Sequence, residues 1–381
     1  MRITARALNR AVLARQLLLG HEPVGVVDAV RRVVALQAQQ PASPYLALWN
    51  RLAGSTPAEL DAAVAAHQVV RTTLMRVTLH AIHAEDYRVF REAMDPTLRA
   101  TRLGDRRFTA SGLTAGDADA LIPDLLEYAD RPRTADEMRA WLEERLGAPM
   151  DAGAWRMLRQ YAPLLHAPTG GPWSFDGRQS YVAARTRPVL ADPDVSAEAL
   201  QILIRRYLEG FGPATVADMA RFATVRQTRV KTAVQALGGE LERLEGSGGA
   251  VMYDLPGAPR PPEDTPAPPR LMAMWDSILL AHADRSRFIP PAHRTHVIRR
   301  NGDVLPTLLV DGHVAGVWRA VEKGIEATAF HPLSDEVWEE LAAEARSLLS
   351  LLADREPAVY RRYDHWWAKL PDADTRILPE R

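Results

Sequence analysis

The sequence holds no cysteine, and of its 47 lysine and arginine residues only Lys231, Lys323 and Lys369 are lysines. Without cysteine there is no disulfide framework, no thiolate metal site and no cysteine nucleophile. With so few amines, covalent chemistry through a lysine Schiff base has few candidate positions. No apolar run approaches the roughly twenty residues that a membrane helix needs. The first residues, MRITARALNRAVLARQ, are interrupted by arginines, so neither a span nor a secretory signal is expected and the predicted location is the cytoplasm. The nucleophile-elbow, P-loop and dinucleotide-binding glycine patterns are also missing.

What remains is an ordinary soluble composition, 47% hydrophobic and 25% charged, in a chain of 381 residues, long enough for two or three compact units. A formal charge of −1 argues against a nucleic-acid partner only as an average. RSRFIPPAHRTHVIRR (285–300) carries five arginines and no acid, and RFATVRQTRVK (221–231) carries four basic residues and no acid. The acids collect in ADEMRAWLEERL, PPEDTP and LSDEVWEELAAEA. Charge segregated in this way allows a neutral protein to present one basic face, and arginine reads phosphate bidentately. A GC-rich coding sequence is the alternative source of the arginine bias.

Helical periodicity dominates the chain. Thr4 opens a helix over 4–19, and Pro57 follows Thr56 at the start of another over 56–68. VRTTLMRVTLHAI (70–82), rich in β-branched residues, predicts a pair of short strands, and HAEDYRVFREAM returns to helix. Helices at 134–146 and 151–167 precede a hairpin around Asp176-Gly177. The same order recurs: helices at 196–212, 214–223 and 225–244, then a wing in EGSGGAVMYDLPG. Helix, turn, helix, hairpin is the order of a winged helix-turn-helix. The expected architecture is therefore mainly α with small β wings (α+β), in three tandem winged units followed by a β-rich part. The units are placed at 1–110, 111–192 and 193–256. A proline-rich linker follows at 257–270, and 271–381 forms the β-rich C-terminal domain with the amphipathic helix 334–353 and a docked tail, YRRYDHWWAKL.

Chemistry is harder to locate. The pairs His80/His83 and His293/His296 lack a third ligand in sequence, so no metal and no cofactor is expected. The carboxylates are scattered, and no spacing selects an acid/base pair. The unusual stretch is ALQAQQP (35–41), which follows an apolar helix, VGVVDAVRRVV, expected to end near Pro41. Primary amides at a buried helix end must satisfy two donors and an acceptor, either by capping backbone or by facing a solvated cavity. Three functional classes stay open on the pattern alone: a DNA-processing enzyme, a non-catalytic winged-helix DNA-binding or regulatory protein, and a protein-interaction module.

LQAQQPASPYLALWNRL, RTTLMRVTLHAIHAEDY, GFGPATVADMARFA, LMAMWDSILLAHADR and VLPTLLVDGHVAGVWR, in that order, resemble the AlkZ/YcaQ family of bacterial winged-helix DNA glycosylases over nearly the whole chain. The resemblance implies three winged-helix motifs forming a C-shaped, basic DNA-binding concavity, completed by a β-rich C-terminal part. It implies a catalytic Gln-Φ-Gln motif, matched by Gln37-Ala38-Gln39, with Ala38 a small choice at the Φ position. It further implies excision of N7- or N3-alkylpurines, including bulky natural-product adducts and crosslinks, in DNA repair or self-resistance. The expected partner is double-stranded DNA carrying such lesions, bound by a monomer at the bacterial nucleoid.

Two glutamines are poor general bases. An N7-alkylated guanine, however, already carries positive charge and leaves without a proton. What remains is to hold water against C1′ and to place carbonyl dipoles near the growing oxocarbenium ion. In a continuous helix, residues two apart point about 200° apart, so Gln37 and Gln39 converge only if the helix breaks, as Pro41 would allow. The scarcity of lysine favours a water-using, monofunctional enzyme. Within MRVTLH (75–80), Thr78 and His80 are expected on one side of a strand, facing the cavity or the DNA backbone. Arg285, Arg287, Arg299 and Arg300 are the candidate phosphate contacts.

Overall fold

Thr4 accepts a hydrogen bond from Ala7 N at 3.0 Å and opens the helix Ala5–Arg15, which stops short of the expected Leu19. Pro57 starts the helix Pro57–Ala65, where the Thr56 amide donates to Glu59 Oε2 at 3.2 Å. These local signals sit in a computed structural model that describes residues 2–371 and 373–379, a mixed α and β architecture.

The strand pair expected around 70–82 forms as Val69–Thr73 and Leu79–His83, antiparallel in the register Val69↔His83 to Thr73↔Leu79. The second hairpin pairs Leu164–His166 with Ser180–Ala183. These are not two separate wings. Arg71 pairs with His166, and the hairpins fuse into one six-stranded sheet with Leu36–Gln37 on one edge and Arg133–Thr134 on the other. Long-range pairing of this kind leaves no mark on local periodicity.

The helix Pro193–Phe211 packs along Tyr87–Arg102. The helices Val216–Ala223 and Gln227–Leu237 follow, and then the two-stranded hairpin Glu242–Glu245 with Val251–Asp254. The C-terminal sheet runs in the order Asp374–Leu378, Gly324–Ala329, His313–Val321, Thr307–Val310, Arg270–Leu271. One outer strand lies just beyond the segment read in the sequence as a docked tail, and the other begins at the last residue of the segment read as linker. The helix Asp335–Ala353 buries Trp338, Leu341, Ala345, Leu348 and Leu352, a three-four spacing that keeps one face on the core.

Many arginines serve inside the protein. Arg51 and Asp276, both fully buried, pair at 2.9 Å and join the N-terminal helices to the C-terminal part. Arg15 pairs with buried Asp254 at 2.7 Å, tying the first helix to the hairpin at 251–254. Breaking such a pair by removing one partner costs about 3–5 kcal/mol, because the other charge is left uncompensated.

One expectation fails in a way that matters. The helix Val26–Arg32 does not run on to Pro41 but ends at Arg32, and Val34 takes a left-handed φ of 72°. Beyond it Leu36–Gln37 is a strand, pairing Leu36↔Ala81 and Gln37↔His80. Helix propensity loses here because the backbone finds better partners in a hairpin forty residues away.

Candidate active site

The turn that delivers the glutamines is fixed by three distant parts of the chain. Buried Gln16 donates Nε2 to Val33 O (3.2 Å) and Gly210 O (2.9 Å), and Ser277 Oγ donates to Ala35 O at 2.8 Å. Ala38 N donates to Leu79 O at 2.9 Å, and Ala38 O accepts from Arg71 Nε at 3.0 Å. The helix 193–211 approaches closely because residue 210 is glycine: a Cβ there would meet Val34 Cγ2 at 2.6 Å. The carbonyls of Val33, Ala35 and Ala38 and the Ala38 amide are therefore satisfied in place. The 200° separation of a continuous helix does not apply, because Gln37 ends the short strand and Gln39 lies in the bend that follows it. Gln37 and Gln39 both line one cavity, and neither caps a helix.

The two amides are unlike. Gln37 is 4% exposed, and its Oε1 accepts a hydrogen bond from Arg76 Nη2 at 2.6 Å. A guanidinium only donates, so this contact fixes which end of the amide is oxygen. Gln39 is exposed at the cavity wall. Arg76 Nη2 also lies 3.0 Å from His80 Nε2, while His80 Nδ1 lies 3.0 Å from Thr78 O. The pattern assigns the tautomer: Nδ1–H donates to the carbonyl and bare Nε2 accepts from arginine. Burial, and then the neighbouring Arg76 charge, hold His80 well below its ordinary pKa, so it is neutral. Arg76 stands at the tip of the turn between the strands with φ 53°, followed by Val77 at 57°. Two consecutive non-glycine residues in the left-handed region are strain that surrounding contacts must hold.

The cavity has a volume of about 760 Å³. Six arginines line it (Arg76, Arg102, Arg156, Arg159, Arg221 and Arg285), and among the described residues Asp303 is the sole carboxylate of the lining. Asp303 is itself engaged, accepting from Trp366 Nε1 at 2.9 Å and from Asn301 Nδ2 at 2.8 Å. Mutual repulsion adds to burial here. The Arg76 guanidinium is pushed down to about 9 by desolvation, then by Arg285 and Arg221, and Arg285 is pushed down to about 10 by desolvation, then by Arg221 and Arg294.

The expected site residues divide. Gln37, Gln39, Thr78 and Arg285 meet at the cavity. His80 is fully buried and corrects the expectation of a DNA contact: the turn at 75–78 lets Thr78 line the wall while His80 reaches Arg76 from within. Arg287 is the second correction. It turns inward, donating Nη1 to Pro213 O and standing 3.0 Å from His282 Nε2. Arg299 reaches Trp366 O through Nη2 at 3.4 Å and lies over the Trp366 ring, while Arg300 is exposed. Of the histidine pairs, His83 accepts from Glu85 N while His80 reaches Arg76, and His293 and His296 both pack on Phe330. Sequence reasoning missed Arg76, although it lies inside MRVTLH; strand alternation drew attention to positions 78 and 80, and the turn placed 76 opposite Gln37. Arg102, Arg156, Arg159 and Arg221 were not singled out either.

The model of the AlkZ-like DNA glycosylases matches residues 30–351. The chain belongs to the AlkZ-like DNA glycosylase family. It is 26% identical over 338 residues to an interstrand DNA cross-link repair glycosylase from Streptomyces sahachiroi, covering 84% of this chain and 88% of that protein. The solved structure of Streptomyces sahachiroi DNA glycosylase AlkZ shares the fold, with a TM-score of 0.78 and 22% identity over 93% of this chain and 98% of that one. As a member of the AlkZ-like family the protein is a DNA glycosylase. Among its described residues no helix is long and apolar enough to cross a membrane.

Proposed function

We propose that this AlkZ-like glycosylase is monofunctional and hydrolyses the N-glycosidic bond of cationic N7- or N3-alkylpurines in duplex DNA, with Gln37 and Gln39 as its catalytic residues. The observation that carries the reading is the presentation of two amides, one from the end of a short strand and one from the bend after it, into a cavity walled by arginine. Gln37 offers the second lone pair of an oxygen already oriented by Arg76, and Gln39 offers a free carbonyl. A water held between them would meet C1′ as the cationic base departs, with no proton to transfer to the leaving group. The site then works by positioning and by preorganised dipoles.

The arginine wall supports duplex DNA as partner in spite of the overall charge, since phosphate contacts dominate affinity. Successive helix pairs, each followed by a hairpin, support three tandem winged motifs around a concave DNA-binding face, bound as a monomer in the cytoplasm. The name of the Streptomyces relative supports bulky adducts or crosslinks as physiological substrates, with DNA repair or self-resistance as the role. The test is incubation with duplex containing N7-methylguanine, then alkali and a denaturing gel. Strand breaks at the lesion only after alkali are expected; an intact strand after alkali overturns the proposal.

A further inference from the structure

The Arg76 side chain lines the cavity with its guanidinium largely desolvated, and among the described residues it has no counterion. Its neighbours Gln37 and His80 are neutral, and Nη1 has no partner. Among the described residues, the charged groups that act on it are Arg285 and Arg221, both of like sign, and the Tyr207 phenol stays neutral because burial pushes it well above its ordinary pKa. Buried Arg15, Arg51 and Arg91 each meet a carboxylate, Asp254, Asp276 and Asp95, whereas Arg71 is held by the Ala38 carbonyl, His166 and the Phe175 ring. Two neutral hydrogen-bond partners and the Phe222 ring, 5.7 Å from the guanidinium carbon, offset the desolvation of the Arg76 charge only in part.

Arg221 and Arg285 line the same cavity, and neither side chain has a hydrogen-bond or ion-pair partner among the described residues. They come from elements far apart in sequence, the helix Val216–Ala223 and the short turn Arg285–Arg287, and the tertiary fold brings them together against Arg76. Three guanidinium groups sharing one wall, none in an ion pair with a carboxylate among the described residues, compose a site for an anion.

We propose that Arg221 and Arg285, with Arg76 as the third charge, seat one phosphodiester of the lesion-bearing DNA strand, and that this phosphate makes Arg76 a positioning residue for Gln37. The guanidinium of Arg76 is planar and rigid, and Nη2 is already committed to Gln37 Oε1 and His80 Nε2. A phosphate drawn to this wall therefore registers the backbone against the Gln37 amide. It also neutralises a positive field that would otherwise oppose an oxocarbenium ion forming beside Gln37. The role given to Gln37 rests on the proposed hydrolysis; the phosphate seat does not.

The experiment separates the two. Binding is measured to duplexes carrying a tetrahydrofuran abasic analogue in place of the lesion. A single uncharged methylphosphonate is moved across the two phosphates on either side. One position is expected to weaken binding by the wild-type protein about tenfold and to weaken binding by the Arg221→Gln/Arg285→Gln variant less than about twofold. The same position in N7-methylguanine duplex should slow base release from the saturated complex. Arg76→Gln should slow release as well and gain no further loss from the methylphosphonate. Equal sensitivity of both proteins at every position overturns the seat, even if base release proceeds. Selective sensitivity without any base release keeps the seat and overturns the proposed hydrolysis.

Discussion

The amide oxygen of Gln37 lies 2.6 Å from Arg76 Nη2, so one of the two glutamines in the motif is clamped and the other, Gln39, is not. The difference gives separate expectations for each.

Gln37→Ala and Gln39→Ala are each expected to slow base release by roughly ten- to a thousandfold, about 1.4–4 kcal/mol of transition-state stabilisation. The double variant should lose little more than the worse single, since both amides act on one water. Stability should divide them. Gln39→Ala should stay within about 0.5 kcal/mol, whereas Gln37→Ala leaves a buried donor on Arg76 short of an acceptor and should cost about 1–3 kcal/mol. Single-turnover excision and urea unfolding on the same variants decide this. Intact excision with reduced stability would make the amides scaffolding.

Stability should fall as pH is lowered from 7 toward 5. Burial holds His80 well below 6.5 and His282 down to about 3. An unfolded chain takes up protons on both near pH 6.5 while the folded chain does not. The folded state is thus favoured above that pH and loses up to about 1.4 kcal/mol per pH unit per histidine below it. Urea titrations at pH 8, 6.5 and 5 test the sign; equal stability at all three would contradict neutral buried imidazoles.

Lys231, Lys323 and Lys369 do not line the cavity. Abasic product should therefore accumulate uncut, and borohydride should trap no protein–DNA adduct. A trapped adduct would mean an amine nucleophile and would remove water from the mechanism.

Exposed Arg156 and Arg300 should report on phosphate contacts, and inward Arg287 on packing. Replacing Arg156 and Arg300 with alanine should lower the slope of log affinity against log salt by about one to two. Arg287→Ala should lower Tm and leave the slope unchanged. The reverse pattern would put Arg287 on the DNA surface.

Gly210→Ala should destabilise the protein by about 1–3 kcal/mol, because the added methyl meets Val34 where the turn to Gln37 is set. Base release should slow although residue 210 touches no substrate. Wild-type rates in a folded Gly210→Ala protein would show that this turn tolerates displacement.

Local chemistry was legible in the sequence wherever neighbours in the chain carry it. Thr4 and Thr56 open their helices, the 69–83 hairpin follows its β-branched pattern, and the helix at 335–353 follows its apolar stripe, because each depends on contacts a few residues away. The glutamine pair could also be picked out, since buried-looking amides before a proline are unusual whatever surrounds them. Their conformation could not. Gln37 is a strand residue because Leu79–His83 offers it an edge and because Gln16, Ser277 and Gly210 hold the preceding turn, partners from three distant segments. Nor could counting arginines separate those consumed by Asp254 and Asp276 inside the fold from those left facing the cavity. Charge pairing and burial depend on distance in space, and only the folded chain brings Arg76, Arg221 and Arg285 together beside a neutral Gln37 and His80.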